Sequence, residues 1–97
     1  MKHYIIVKWN ELVTDKAAMA ERAEGAFAGV TALPGVTDCR VIRSCSSRPN
    51  RFDLVIAMEM TEEGLACYDA SELHKRWKAD FTQYFASKAV FDCEEGL

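Results

Sequence analysis

The stretch FDLVIAMEM, residues 52–60, has the most regular alternation of side chains in the chain. Five apolar side chains share one side of it: Phe52, Leu54, Ile56, Met58 and Met60. The other side carries Asp53, Val55, Ala57 and Glu59. Because successive side chains of a strand point to opposite faces, this pattern predicts a strand with one face in the core.

After this strand the sequence predicts two helices separated by a turn. Thr61 is a favourable N-cap for a short helix that runs to about Tyr68. Asp69-Ala70-Ser71 predicts the turn, and Ser71 is a second N-cap. Tyr68 therefore lies at the end of one helix and His74 at the start of the next. The turn between them brings these two residues, six positions apart, to one corner.

The second of these helices carries an apolar stripe in which successive members are four residues apart. The stripe consists of Leu73, Trp77, Phe81 and Phe85, so we expect the helix to reach Phe85. A short strand at Ala89–Cys93 and a loose tail at Glu94–Leu97 complete this half.

The sequence before residue 52 predicts a strand, a helix and a second strand. Thr14 or Asp15 caps the helix, which Leu33-Pro34-Gly35 ends because proline cannot continue the hydrogen-bond ladder. Its buried stripe is Met19, Ala23, Phe27 and Val30. The strand at Thr37–Arg43 alternates weakly, which favours an edge position, and Ser44–Arg51 is a polar turn.

The first strand, His3–Trp9, is apolar on both faces. The resulting order, β-α-β-β-α-α-β, predicts an α+β ferredoxin-like sandwich in which helices cover one face of a four-stranded antiparallel sheet. The uncovered face would expose Tyr4, Ile6, Val55 and Ala57. A second copy of the chain is the simplest cover, so we expect a homodimer that packs sheet to sheet.

Composition narrows the classes of function. The 97 residues, 49% of them hydrophobic, suit one domain over residues 1–97 with its core at about 2–93. A net charge of -3 and a pI near 5.3 argue against nucleic acid or an anionic membrane as a partner. The first apolar run, Tyr4–Val7, is too short for a signal peptide or a membrane span, so we expect a cytoplasmic protein.

Metal and cofactor motifs are absent from the sequence. It has no glycine-rich phosphate loop, no Gly-x-Ser-x-Gly elbow and no His-Glu-x-x-His helix. The four cysteines, at Cys39, Cys45, Cys67 and Cys93, form no Cys-x-x-Cys pair and are interpreted as small apolar side chains. We therefore expect neither a metal nor an organic cofactor.

Four features occur in order along the chain: KHYIIVKW at residues 2–9, LPGV at 33–36, FDL at 52–54, and Tyr68 followed by His74. Together they resemble the stress-responsive dimeric α/β-barrel (Dabb) family. Each is weak alone, but their order and spacing coincide with the family over about residues 2–93. The resemblance implies a ferredoxin-like monomer that dimerises through its sheets, often with unknown activity.

One plant member of that family closes a linear polyketide by an intramolecular aldol condensation without metal or organic cofactor. The resemblance places Tyr68 and His74 at its catalytic positions and His3 at a further pocket histidine. Two positions depart: Leu54 stands where the cyclase has another pocket histidine, and Ser71-Glu72 replaces the usual His-Pro.

The three candidate side chains suit acid–base chemistry on a carbonyl compound. An imidazole with a pKa of about 6.5 takes a proton at neutral pH, and a phenol with a pKa of about 10 donates a hydrogen bond to a developing enolate. The alternatives stay open: His74 bonded to a backbone carbonyl, Tyr68 with its hydroxyl at the surface, and His3 partly solvated. For His3, burial statistics favour the solvated interpretation.

A small apolar or aromatic ligand would lie between helices and sheet. The candidate lining is Ile5, Val7, Ala23, Phe27, Leu54, Ile56, Trp77, Phe81 and Phe85, although such a stripe is usually core. Four arginines near the second strand, Arg40, Arg43, Arg48 and Arg51, are interpreted as a solvated basic loop. The sequence leaves three functions open: an acid–base enzyme, a non-enzymatic binding or structural dimer, and a cofactor-free monooxygenase.

Overall fold

The computed structural model describes residues 1–95, which form one antiparallel sheet packed against three helices. The strands are β1 (Lys2–Trp9), β2 (Val36–Arg43), β3 (Leu54–Met60) and β4 (Phe85–Cys93). The helices are α1 (Lys16–Phe27), α2 (Glu62–Ala70) and α3 (Glu72–Phe81), with 3₁₀ turns at Val30–Ala32 and Thr82–Tyr84. The strand order β2-β3-β1-β4 confirms the predicted α+β arrangement and the edge position of β2.

The two central strands explain where the core lies. In their antiparallel pairing Ile5 stands opposite Ile56 and Val7 opposite Leu54. All four are at most 3% exposed, whereas Tyr4 and Val55, on the other face, are only half-buried. The core thus fills the layer between this face and the helices, as the alternation predicts.

Helix α1 begins as predicted but ends early. The Asp15 carboxylate accepts a hydrogen bond from the Ala18 amide at 3.0 Å, which makes Asp15 the N-cap. The helix stops at Phe27, not at Leu33-Pro34-Gly35 as expected, and a 3₁₀ turn follows Gly29. Val30 is nevertheless fully buried, because the 3₁₀ turn keeps it on the core side.

The corner between α2 and α3 is tighter than predicted. Helix α2 continues two residues past Tyr68, so Ser71 alone separates the helices. The Ser71 hydroxyl donates to the Tyr68 carbonyl at 2.6 Å and accepts from the His74 amide at 3.1 Å. One side chain therefore ends the first helix and caps the second.

Two strand boundaries differ from the predictions. Phe85 is the first residue of β4, not the last of a helical stripe, and β4 starts four residues before Ala89. The ring of Phe85 still packs on Trp77, with centroids 5.5 Å apart, because the chain pairs with β1 at Trp9 and keeps the ring over the core. The stripe therefore predicted the contact correctly and the secondary structure wrongly.

The predicted start of β3 at Phe52 is also wrong, since the strand begins at Leu54 and Phe52 is 38% exposed. Asp53, the residue just before the strand, contacts both β1 and the first turn of α1. Its carboxylate accepts hydrogen bonds from the Trp9 amide at 2.9 Å and from Lys16 at 2.8 Å. Of the predicted tail, Gly96 and Leu97 lie outside the described residues.

A contact between two glycines fixes the start of α2. Gly35 has a φ of 84°, and a Cβ there would lie 2.6 Å from Thr61 Oγ1 and 2.7 Å from the Gly64 Cα. The Gly35 carbonyl accepts the Thr61 amide at 2.9 Å, and Thr61 caps α2 through the Gly64 amide at 3.0 Å. This close approach sets the position of the helix that carries Tyr68.

Within residues 1–95, each helix is too short or too polar to cross a bilayer.

Candidate functional site

A pocket of about 260 Å³ lies between the β1–β4 pair and the α2–α3 corner. The three candidate residues of the sequence analysis, His3, Tyr68 and His74, all line it. The remaining lining residues are Ile5, Leu65, Asp69, Trp77, Lys88, Val90 and Asp92.

Tyr68 is the most buried of the three. It is 1% exposed, so the alternative that its hydroxyl reaches the surface is wrong. Its ring centroid lies 4.7 Å from that of His74 and 5.8 Å from that of His3. No atom of residues 1–95 forms a hydrogen bond with the Tyr68 hydroxyl, although buried polar groups are usually paired.

The surroundings of Tyr68 keep the phenol protonated. Burial raises its pKa well above the ordinary value of about 10, and the neighbouring Asp69 and Cys39 add to the rise. At neutral pH the group is therefore a hydrogen-bond donor and not a base.

His74 is half-buried in the first turn of α3. Its Nδ1 lies 3.0 Å from the Asp69 carbonyl oxygen. Since a carbonyl only accepts, Nδ1 carries the proton of the neutral ring and Nε2 keeps its lone pair. The backbone contact that was the structural alternative for His74 thus also prepares the ring to accept a proton at Nε2.

His3 is 6% exposed, so the favoured interpretation of a partly solvated histidine is wrong. It is buried because β4 pairs with β1 and places Asp92 directly opposite. The Asp92 carboxylate accepts a hydrogen bond from His3 Nδ1. Asp92 was not predicted from the sequence. The only sign of it was a carboxylate within the predicted last strand, and the β1–β4 register places that carboxylate next to His3.

The predicted apolar lining is mostly core. Of its nine members only Ile5 and Trp77 line this pocket. Val7, Ala23, Phe27, Leu54, Ile56 and Phe81 are buried in the core cluster, and Phe85 packs against it. The pocket therefore has fewer apolar and more polar lining residues than the sequence suggested.

The arginines and cysteines lie elsewhere. Arg40, Arg43, Arg48 and Arg51 are all exposed, and Arg43 pairs with Glu24. The cysteines are unpaired, and burial raises the pKa of Cys39 to about 11. Among residues 1–95, no three His, Cys, Asp or Glu side chains are grouped so that they could hold a metal ion.

Comparisons with known proteins identify the fold. No protein-family model and no curated protein matches the chain. It is similar to a dimeric ferredoxin-like protein of unknown function from Bacteroides fragilis, with a TM-score of 0.81 and 15% identity over 97% of this chain and 94% of that one.

Two further solved structures share the fold. A Dabb family protein from Mesorhizobium loti has a TM-score of 0.71 and 12% identity over 98% of this chain and 96% of that one. Hydroxynitrile lyase from Passiflora edulis has a TM-score of 0.71 and 8% identity over 99% and 95%. The predicted resemblance to Dabb proteins is thus confirmed in its fold, an α+β ferredoxin-like domain.

Proposed function

We propose that this Dabb-like protein binds a small aromatic or polyketide-like carbonyl compound and catalyses cofactor-free enolisation, with aldol or cyclase-type closure as its outcome. The observation that carries the proposal is that His3, Tyr68 and His74 line one pocket, where the Tyr68 hydroxyl has no hydrogen-bond partner among residues 1–95. A ligand carbonyl oxygen bound there would supply the missing hydrogen-bond partner.

His74 and Tyr68 have complementary roles in this proposal. Nε2 of His74 takes a proton from the carbon next to the carbonyl, and the Tyr68 hydroxyl donates to the oxygen on which negative charge develops. The enolate carbon then attacks a second carbonyl carbon of the same molecule. The new alkoxide recovers the proton from His74, so the ring returns to its starting state and no cofactor is consumed.

His3 assists as a second polar wall of the site. Its hydrogen bond to Asp92 fixes the orientation of the ring, as carboxylates do for histidines in many active sites. In the proposed complex the oriented ring of His3 borders the substrate, and its Nε2 lone pair accepts a hydrogen bond from a hydroxyl group of the ligand.

Deuterium exchange tests the chemistry without knowledge of the natural substrate. Acetophenone in D₂O exchanges its methyl protons only through the enol, and proton NMR follows the loss of signal. We expect the wild-type protein to accelerate this exchange and His74→Ala to lose at least about a hundredfold of the acceleration. Lys75→Ala, its exposed neighbour on α3, is the matched control and keeps the rate.

Two results would contradict the proposed enzymatic activity. One is wild-type exchange at the buffer rate across a panel of aromatic ketones; the other is an unchanged rate in His74→Ala. Two candidates would then remain. One is a non-enzymatic metabolite-binding dimer, which the small size of the pocket and the closed core beside it also fit; the other is a cofactor-free monooxygenase, for which oxygen uptake with candidate phenols is the test.

We further propose that the chain is a cytoplasmic homodimer whose sheets pack face to face. The open face carries Ile42, 41% exposed, and Phe91, 46% exposed, beside half-buried Tyr4 and Ile6. Dimeric proteins among the structures of the same fold support this assembly. The unpaired cysteines suit a reducing compartment.

Sedimentation tests the assembly. Phe91→Glu places a charge on the open face, so we expect the dimer of the wild type to dissociate. Leu12→Glu is the control, because Leu12 is 59% exposed but lies in the turn after β1. A wild-type monomer, or a dimer that survives Phe91→Glu, would contradict sheet-to-sheet pairing.

A further inference from the structure

The wall of the pocket that β4 forms changes along the strand from a basic side chain through an apolar one to an acidic one. Lys88, Val90 and Asp92 alternate on one side of the strand and line the pocket together. They stand opposite Val7, Ile5 and His3 of β1. At about 3.4 Å per residue, the backbones of Lys88 and Asp92 are roughly 14 Å apart.

Negative charge is confined to one end of this wall. The Asp92 carboxylate is bound to His3, and the other acidic lining residue, Asp69, is the residue whose backbone carbonyl contacts His74, so both acidic residues belong to the acid–base end. The middle is apolar, with Val90 and Ile5. An anionic group on a ligand would be repelled at the acid–base end and would gain nothing in the middle.

Lys88 provides the only ammonium group among the lining residues. Of the ion pairs formed within residues 1–95, none includes Lys88. Its Nζ lies 5.9 Å from the centroid of the Phe85 ring, beyond the apolar middle. This cation is therefore available to a ligand at the end of the pocket opposite the histidines.

We propose that the substrates are carbonyl compounds that carry a carboxylate at the far end of an apolar or aromatic body, with Lys88 as the residue that selects them. This inference rests on the proposed function, since it places the reacting carbonyl at Tyr68 and His74. The carbonyl head, the apolar body and the anionic tail of such a molecule match the three parts of the wall in order.

A lysine on an edge strand also has a structural use, because its charge discourages pairing with another strand. That structural role does not depend on the charge of a ligand. The test must therefore compare two ligands of equal size that differ in charge, and not only two proteins.

The probes are 4-acetylbenzoate and its neutral analogue 4-acetylbenzamide, titrated while the indole NMR signal of Trp77 is followed. We expect the wild type to bind the benzoate about three- to fivefold more tightly at low salt, as for a partly exposed ion pair, and to lose this preference as salt is added. Lys88→Met should bind both probes with similar affinity, because the charge that distinguishes them is gone. Lys78→Met, which removes an exposed lysine of α3 outside the pocket, should keep the preference.

The outcomes separate this inference from the proposed function. If both probes bind the wild type equally, or if the preference persists in Lys88→Met, the selection of anions by Lys88 is overturned while binding of carbonyl compounds stands. If neither probe shifts the Trp77 signal, ligand binding in this pocket fails and the inference fails with it.

Discussion

The layer between helices and sheet has two ends that contain similar aromatic rings but differ in whether their buried polar atoms are hydrogen-bonded. At the closed end the rings of Trp9 and Phe81 lie 6.5 Å apart, and the Arg22 guanidinium covers Phe81 at 5.4 Å. At the pocket end the rings of Tyr68 and His74 are 4.7 Å apart. Only the pocket end contains a buried side-chain oxygen left unpaired within residues 1–95.

The two ends therefore contribute different things: the closed end stabilises the fold, and the pocket end presents a polar group to a ligand. An unpaired buried hydroxyl costs about 1–3 kcal/mol, whereas packed rings and a cation over a ring face are favourable. We infer that the closed end supplies the stability that allows the pocket end to keep a polar group ready for a ligand.

The largest effect is expected at the closed end. Phe81→Ala removes a ring that is 4% exposed and leaves a cavity beside Trp77, so we expect the free energy of unfolding to fall by about 3–5 kcal/mol. Urea denaturation measures the change. Phe52→Ala, at a phenylalanine outside the strands, is the control and should cost less than about 1 kcal/mol. Equal losses in both variants would contradict a stabilising closed end.

A smaller effect is expected where α2 is anchored. The Cβ of Gly64→Ala would meet the Gly35 backbone, so we expect a loss of about 1–3 kcal/mol and a displaced Tyr68. Gly25→Ala in α1 is the matched control. Its Cβ meets nothing within 4 Å, and alanine is the better helix former by about 0.5–1 kcal/mol, so stability should rise. Thermal unfolding that shows the same sign for both variants would refute the close approach.

The smallest effect on stability is expected at Tyr68, where the two ends of the layer differ most directly. Tyr68→Phe removes the unpaired hydroxyl, so we expect the free energy of unfolding to rise by about 1 kcal/mol while the enolisation rate falls. Tyr84→Phe, at a half-buried tyrosine of the closed end, should change neither. A Tyr68→Phe protein that is less stable would show that the hydroxyl has a partner.

The pH dependence of stability follows from the same group. Because the pKa of Tyr68 is raised in the folded protein, the unfolded chain loses its proton first, and the free energy of unfolding falls above about pH 10, by up to about 1.4 kcal/mol per pH unit. Tyr68→Phe should lack this part of the slope. Cys39, with its pKa raised to about 11, contributes equally to both proteins and cancels in the comparison.

Local signals in the sequence predicted the fold well. Asp15, Thr61 and Ser71 all cap helices, as their residue types indicated. The alternation in residues 54–60 and the order of elements were sufficient for the sheet and its covered face. The corner that joins Tyr68 and His74 was predictable because every hydrogen bond that forms it is local.

Contacts between distant elements were not predictable. The burial of His3 depends on Asp92, 89 residues away, and a shift of one residue in the β1–β4 register would place them on different faces. The helical stripe extended wrongly to Phe85 because spacing alone cannot tell a last helical turn from a first strand residue over the same core. The true pocket lining, including Lys88, is a product of that register.

The double hydrogen bond of Ser71 has a consequence for how the protein can change over evolution. Because one hydroxyl holds both the end of α2 and the start of α3, residues 68–74 carry the relative placement of the two rings as a self-contained unit. An insertion inside this unit would separate the rings, whereas substitutions along β4 would leave them in place. New ligand preferences can therefore arise by exchange of single strand residues, without rebuilding the seven-residue unit that holds the reactive pair.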